Sequence, residues 1–338
     1  MYHMAQDELP ALKKILLIRL SSIGDIVLTT PILRALRHAY PGAEIGYLTK
    51  DRFRDVLRYN PYINRLHLFR GSLAESLAEL EAVGYDHVLD LHRNLRSWYL
   101  RTGLALPTST YPKANDRKRR MTWLKQRLSV PHIVERYAQA LEPLGVQLDA
   151  GGLDFFYPAE LDSWAAQQVQ ARWPGQRPYG LCLSATYTTK RWLPEYYHAY
   201  LAHSPQPAIL LGGPAELELA ATVCAGLPEQ RVWNAVGHTS LLQSAALLPQ
   251  CTHLITPDTG MMHIAAALQV PILSLWGNTV PEFGMTPWRA PHMVLEEQMG
   301  CRPCSRLGHA SCPRGHFACM RAITPERVAA AVALLAKQ

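Results

Sequence analysis

Chemistry in this chain is concentrated in two glycine-bearing turns, each directly after an apolar run. The first is Leu20-Ser21-Ser22-Ile23-Gly24-Asp25, after Ile15-Leu16-Leu17-Ile18. The second is Thr256-Pro257-Asp258-Thr259-Gly260-Met261-Met262-His263, after Leu254-Ile255. Both lead into helix-like patterns, so each sets backbone N–H groups and an aspartate at a strand-to-helix crevice. Helix N-termini attract anions through free N–H groups and the helix dipole. Open α/β sheets bind ligands at the carboxyl ends of their strands. Two such turns so far apart imply two facing crevices.

A third segment, Ser184-Ala185-Thr186-Tyr187-Thr188-Thr189-Lys190-Arg191-Trp192-Leu193-Pro194, follows a strand and precedes a helix that can begin at Pro194. It places Lys190, among the hydroxyls of Thr188 and Thr189, at another strand end. The nicotinamide fingerprint G-x-G-x-x-G is absent from the first turn, which has only Gly24, and no G-x-x-x-x-G-K-[ST] loop occurs. No Asp-x-Asp pair is available to hold a divalent ion on a diphosphate. A bound diphosphate would therefore be neutralised by helix termini and basic side chains.

These groups must be positioned by alternating strands and helices. Residues 15–20, 44–48, 65–69 and 86–91 read as buried strands, separated by helical patterns at 28–39 and 73–83, with a kink or restart expected at Pro31. The alternation predicts a parallel sheet with right-handed crossovers. A helix over 132–144 and a strand over 153–157 close this half. Trp173-Pro174-Gly175-Gln176-Arg177-Pro178 reads as linker. The alternation then resumes, with strands at 179–184, 208–211, 254–256 and 271–276. A last helix is capped by Thr324 with Pro325 and Glu326 in its first turn. The expected architecture is α/β, with Rossmann-like domains at 1–157 and 179–338 and a linker region at 158–178.

With 338 residues, 48% hydrophobic and 18% charged, the composition is that of a soluble globular protein. No apolar run is long enough to cross a bilayer or to read as a signal peptide, so a cytoplasmic protein is expected. The formal charge is +7. Most of the excess lies in one block, where Lys113, Arg117, Lys118, Arg119, Arg120, Lys125 and Arg127 face only Asp116. Such a block is either a solvated face or a dock for phosphates. It contains Trp123 and fits no nucleic-acid module, which favours a phosphorylated amphiphile over DNA or RNA.

Four runs occur in order: Leu20-Ser21-Ser22-Ile23-Gly24-Asp25-Ile26-Val27, Thr189-Lys190-Arg191-Trp192-Leu193-Pro194, Leu211-Gly212-Gly213-Pro214-Ala215-Glu216 and Pro257-Asp258-Thr259-Gly260-Met261-Met262-His263. Together they resemble the ADP-heptose:lipopolysaccharide heptosyltransferases, glycosyltransferase family 9. The resemblance takes in nearly the whole chain, including Asp90-Leu91-His92-Arg93-Asn94-Leu95-Arg96-Ser97 and His132-Ile133-Val134-Glu135-Arg136-Tyr137. It implies a GT-B fold, an inverting mechanism without a metal or other required cofactor, and an ADP-heptose donor held mainly by the C-terminal domain.

Within that resemblance Asp25 matches the general base, a role compatible with capping its helix. Lys190 matches the lysine that stabilises the departing diphosphate. Asp258 matches the residue that holds the donor sugar, with the Thr259 and Gly260 amides toward the phosphates. Glu216 matches a carboxylate for ribose hydroxyls, or else is an ordinary first-turn acid. The donor set is completed by Thr188, Thr189, Met261 and His263, although a lone helix histidine more often serves structure. The expected acceptor set is Ser22, Gly24, Arg93, Asn94, Arg96, Arg117, Arg119 and Arg120.

Cys301, Cys304, Cys312 and Cys319 crowd the C-terminus, while Cys182, Cys224 and Cys251 read as buried thiols. A four-cysteine cluster in a cytoplasmic protein suggests structural zinc over disulfides, yet it lacks a second close-spaced pair, and the family chemistry needs no metal there. The reading reached is transfer of heptose to the lipopolysaccharide inner core, on a Kdo- or heptose-bearing lipid A acceptor, at the cytoplasmic face of the inner membrane. The alternatives are a related transferase with another nucleotide-sugar or glycan acceptor, and a non-catalytic nucleotide-sugar or nucleic-acid binding protein.

Overall fold

The computed structural model describes residues 11–337, so residues 1–10 and 338 of the expected domains lie outside the described residues. The chain forms two compact units. One runs to Lys113 and resumes at Pro131–Phe156; the other comprises Ala114–Val130 and the chain from Tyr157 onward.

The first unit holds β1 (Lys14–Ile18), α1 (Ile23–Val27), α2 (Thr30–Ala39), β2 (Glu44–Lys50), β3 (Arg65–Phe69), α3 (Leu73–Val83), β4 (His87–Asp90), α4 (Leu95–Leu104) and β5 (Thr108–Thr110). After α5 (Asn115–Leu124), which belongs to the second unit, α6 (Ile133–Ala138) returns to the first. The five strands are parallel, in the order β3-β2-β1-β4-β5. β1 has no exposed residue, as a strand covered by helices on both faces requires. The helix expected over 28–39 restarts as predicted: α1 ends at Val27, Thr29 caps α2, and Pro31 occupies its first turn, where no N–H is missed.

The second unit holds α7 (Glu160–Arg172), β6 (Tyr179–Cys182), α8 (Pro194–His203), β7 (Ala208–Leu211), α9 (Leu217–Cys224), β8 (Val232–Asn234), α10 (Leu241–Leu247), β9 (Leu254–Pro257), α11 (Gly260–Ala267), β10 (Ile272–Trp276), β11 (His292–Glu296), α12 (Ala318–Arg321) and α13 (Pro325–Leu335). Its six strands are also parallel, in the order β11-β10-β9-β6-β7-β8. Its core combines sheet residues such as Leu181, Leu210 and Ile255 with Trp192, Tyr197, Val328 and Leu335.

Several sequence expectations are corrected. The 158–178 stretch is mostly helix, because α7 has acids in its first turn and buries Ala165 and Val169. The strand expected over 153–157 has no ladder partner: the Asp154 amide donates to Thr30 Oγ1, and its carboxylate pairs with Arg34. The helix expected over 132–144 breaks after Ala138 and resumes as a 3₁₀ turn at Glu142–Leu144 that carries Pro143. Strands β5, β8 and β11 were not foreseen; two have only three residues, and none of the five residues of β11 is buried.

The basic block is also redistributed. Lys113 stays in the first unit, while α5 packs on the second through Met121, which clusters with Val130, Val280 and Phe283. Placing Arg117, Arg119 and Arg120 in a domain ending at 157 followed chain order; the apolar contacts of Met121 assign them to the other unit.

Candidate functional site

Each sheet has one place where strand order reverses. In the first, β1 connects outward to β2 and β3, and β4 returns to lie beside β1, with Ile18 opposite Asp90. In the second, β6 leads out to β7 and β8, and β9 returns beside β6, with Leu181 opposite Ile255. Connections that diverge at such a point leave a crevice at the strand ends. The turn bearing Asp25 follows β1, the Lys190 segment follows β6, and the Asp258 turn follows β9. All three chemistry-bearing segments thus lie at switch points.

In the first unit, Asp25 occupies the first turn of α1 and accepts from both the Ser22 amide, at 3.2 Å, and the Ser22 hydroxyl, at 2.9 Å. The other carboxylate oxygen lies 2.7 Å from Arg19 Nη2. Arg19 is buried and otherwise donates to the Ser21 and Leu91 carbonyls. Burial alone would raise the Asp25 pKa, but Arg19 and the Ser22 donors outweigh it and hold the group below the usual carboxylate range. His92, next in the β4 loop, is pushed down to about 3 by burial and by the charges of Arg19 and Lys113. It is neutral near pH 7, and its Nδ1 is buried without a hydrogen-bond partner. Arg136 of α6 is 2% exposed and leaves Nη2 unpaired. An ionised carboxylate therefore sits beside buried cations, an environment that could hold an anionic group.

The remaining expected acceptor residues have mixed situations. Ser22 is exposed and Gly24 is buried. Asn94 caps α4, accepting from the Ser97 amide at 3.0 Å, and Arg93 donates to the Tyr111 carbonyl. Arg96 is exposed. Asp90, fully buried, ties this loop together by accepting from the His92 and Arg93 amides and the Ser97 hydroxyl. A cavity of about 400 Å³ is lined by Asp90, Arg93, Asn94, Leu95, Trp98 and Arg101.

In the second unit, Lys190 Nζ lies 2.6 Å from Asp258 Oδ2, and the same oxygen accepts from Thr279 Oγ1 at 2.9 Å. Thr259 caps α11 with no side-chain hydrogen bond of its own, so no cap side chain occupies the first-turn amides of Gly260 and Met261. Thr188 is exposed, whereas Thr189 is buried and engages His309 through both backbone and hydroxyl. Gly277 is required beside it: a Cβ there would come within 2.8 Å of the Thr189 carbonyl. Glu216 is buried, accepts from the Gly213 amide and Ser184 hydroxyl, and pairs with Arg191 at 3.2 Å. His263 is 3% exposed within α11. The ensemble offers a lysine, a fixed carboxylate and a helix N-terminus, the parts needed to hold a diphosphate and an attached sugar hydroxyl.

The family model for glycosyltransferase family 9 (heptosyltransferase) matches residues 73–312. The chain belongs to this family. It is 30% identical to lipopolysaccharide heptosyltransferase 1 of Pseudomonas aeruginosa, with 86% of each chain covered. Among solved structures, a glycosyltransferase family 9 protein from Veillonella parvula superposes with TM-score 0.80 at 25% identity, covering 96% of this chain and 97% of that one. The E. coli ADP-heptose lps heptosyltransferase II gives 0.74 at 24% identity, covering 96% and 99%. Each unit is built on one parallel sheet, as the GT-B fold that the resemblance implied requires.

For this glycosyltransferase the sequence reading missed Arg19, His92, Thr279, Arg191 and His309 as neighbours of the expected site residues. Arg19 carried a signal, since a cation closing an apolar strand just before an aspartate-bearing turn has a carboxylate within reach. Thr279 and His309 carried none, because their partners lie 21 and 120 residues away. The cysteines are all free, and among the described residues no group of three or more His, Cys, Asp or Glu side chains is arranged to hold a metal. Cys301 Sγ instead lies 3.9 Å from His316 Nε2, and burial raises Cys319 to about 11, which keeps it a thiol. No described helix is long and apolar enough to cross a membrane.

Proposed function

We propose that this enzyme transfers heptose from ADP-heptose to the inner core of lipopolysaccharide, with inversion at the anomeric carbon and without a metal ion. The observation that carries the reading is the Lys190–Asp258 pair at the second unit's switch point, beside an N-terminus of α11 that no cap side chain fills. A diphosphate there would meet a cation and first-turn amides together, and Asp258 would hold a sugar hydroxyl. The donor's identity is supported by family membership and by a structural neighbour named for ADP-heptose.

On the acceptor side, Asp25 takes the proton of the attacking hydroxyl as its oxygen bonds to the anomeric carbon. The C–O bond to the diphosphate breaks as the new bond forms, so one displacement inverts the centre. Negative charge moves onto the leaving phosphate, where Lys190 and the α11 amides stabilise it. These groups do the work that a divalent ion does in enzymes with an Asp-x-Asp pair. Ser22, Gly24, Arg93, Asn94 and Arg96 would line the acceptor, with Arg19 keeping Asp25 ionised. In this reading the enzyme works in the cytoplasm, at the inner membrane's inner face, where a nucleotide-sugar can meet a lipid-borne acceptor.

Incubation with ADP-heptose and a panel of truncated lipid A cores, followed by mass spectrometry, tests the reading. A mass increase of one heptose on a Kdo- or heptose-bearing core is expected. Failure to modify any core, with transfer from another nucleotide-sugar instead, would overturn the donor assignment.

A further inference from the structure

We infer that the outward side of α5, with the loop beside it, is a docking surface for an anionic phospholipid bilayer. The inner side of α5 is fixed to the second unit. Met121 is fully buried against Val130, Val280 and Phe283, and Lys118 Nζ lies over the Phe283 ring at 5.6 Å. Just after the helix, Lys125 donates to the Pro303 carbonyl, and Arg127 pairs with Glu282 and Glu296. The helix is therefore anchored on the second unit through its inner side.

The outward residues have two chemistries. Trp123 is 87% exposed and Leu124 55%, with Leu307 of the neighbouring loop 62% exposed. Residues three and four apart share a helix face, so Arg119 and Arg120 lie one turn from Trp123 and Leu124. Arg117, Arg119 and Arg120 are exposed and make no ion pair among the described residues. A cavity of about 670 Å³ opens here, lined by Arg119, Arg120, Trp123, Leu124 and Arg306 among others.

An exposed tryptophan costs free energy in water unless something apolar covers it. Tryptophan rings settle at the headgroup level of a membrane, and arginines beside them pair with lipid phosphates. A nucleic acid would satisfy the charges but not Leu124 and Leu307. A soluble protein would satisfy the apolar side chains, but only an acidic one would match the arginines. A bilayer rich in anionic phosphates meets both demands at once. This surface deepens the heptosyl-transfer reading, on which its biological purpose rests, by naming how the enzyme reaches a lipid-borne acceptor.

The test is co-sedimentation of the full chain with phosphatidylcholine vesicles, with and without phosphatidylglycerol, in the absence of donor and acceptor. Wild type should bind the phosphatidylglycerol vesicles, and added salt should release it. Trp123→Ser combined with Leu307→Ser should weaken binding by about tenfold or more, as expected when interfacial apolar contacts are removed. Brominated lipid should quench a fluorescence component present in wild type and missing in Trp123→Phe. Binding by the double variant equal to wild type, no wild-type binding, or binding only when lipid A acceptor is present would each overturn the proposal. Loss of transfer to deacylated, soluble acceptor in the double variant would also overturn it, by making the surface part of the acceptor site. Absence of transfer in wild type would sink the functional reading and leave the vesicle result standing.

Discussion

Lys190 Nζ and Asp258 Oδ2 are 2.6 Å apart, although 68 positions separate them in sequence. Both side chains are largely covered, at 18% and 12% exposure, so the pair is shielded from solvent and neither charge is idle. A diphosphate entering this site would meet a lysine already oriented by a carboxylate, with Thr279 holding the carboxylate from its other side.

Lys190→Ala should therefore lower both ADP affinity and turnover, with turnover falling about 10²-fold or more because charge on the leaving group grows in the transition state. It also leaves Asp258 without its counter-ion, so thermal stability should drop. Adding Asp258→Asn should restore part of that stability, since the unpaired charge is then gone. ADP titration, kcat and Tm on the two single variants and the double variant measure all three. Unchanged ADP affinity and kcat in Lys190→Ala would remove the lysine from the donor site.

Asp25→Asn should keep ADP binding and lower kcat by about 10²–10⁴-fold, the usual contribution of a positioned base. The amide oxygen can still accept from Ser22, so α1 should persist, while the loss of buried Arg19's counter-ion should lower Tm. Because Arg19 and Ser22 hold the Asp25 pKa below its ordinary value, the wild-type carboxylate is already ionised at neutral pH. Its protonation should limit kcat/KM only below the pH range in which an ordinary aspartate titrates. Near-normal turnover by the Asn variant would reduce Asp25 to a helix cap.

His92 should make the fold acid-sensitive. Its folded pKa of about 3 lies below the unfolded value, because burial, Arg19, Lys113 and Lys50 disfavour the cation and only Asp25 opposes them. Between that value and about 6.5 the unfolded chain binds a proton that the folded chain refuses. Stability from this group is full above pH ~6.5 and falls as pH drops toward 3. His92→Gln should lose less Tm than wild type between neutral pH and about pH 4.5. Parallel Tm curves for the two proteins would show that His92 is not held neutral.

Chelation by EDTA should leave transfer intact, since Lys190 and the α11 amides are assigned the work of a divalent ion. Activity assays with and without chelator, and with magnesium or manganese restored, decide the point. Immediate loss reversed by either ion would overturn the metal-free mechanism. A slow decline in Tm without that reversal would point to the cysteines around residue 301.

The amino-acid order by itself determined the local parts. Apolar runs specify buried parallel strands, Pro31 forces the restart at α2, and Thr324 with Pro325 starts the last helix, because each acts on backbone within a turn or two. Asp25, Lys190 and Asp258 could be picked out for the same reason: strand, turn and helix start are contiguous. Tertiary structure decided what each of them touches. Asp25 is held by Arg19, an arginine whose other donors reach carbonyls as far away as Leu91, and Lys190 by an aspartate in the turn after another strand. It also decided where α5 belongs. Sequence position put its arginines with the first sheet, but burial of Met121 against Val280 and Phe283 gives that helix to the second unit. Which surfaces find one another depends on packing between distant segments, and such packing leaves no mark at fixed spacing along the chain.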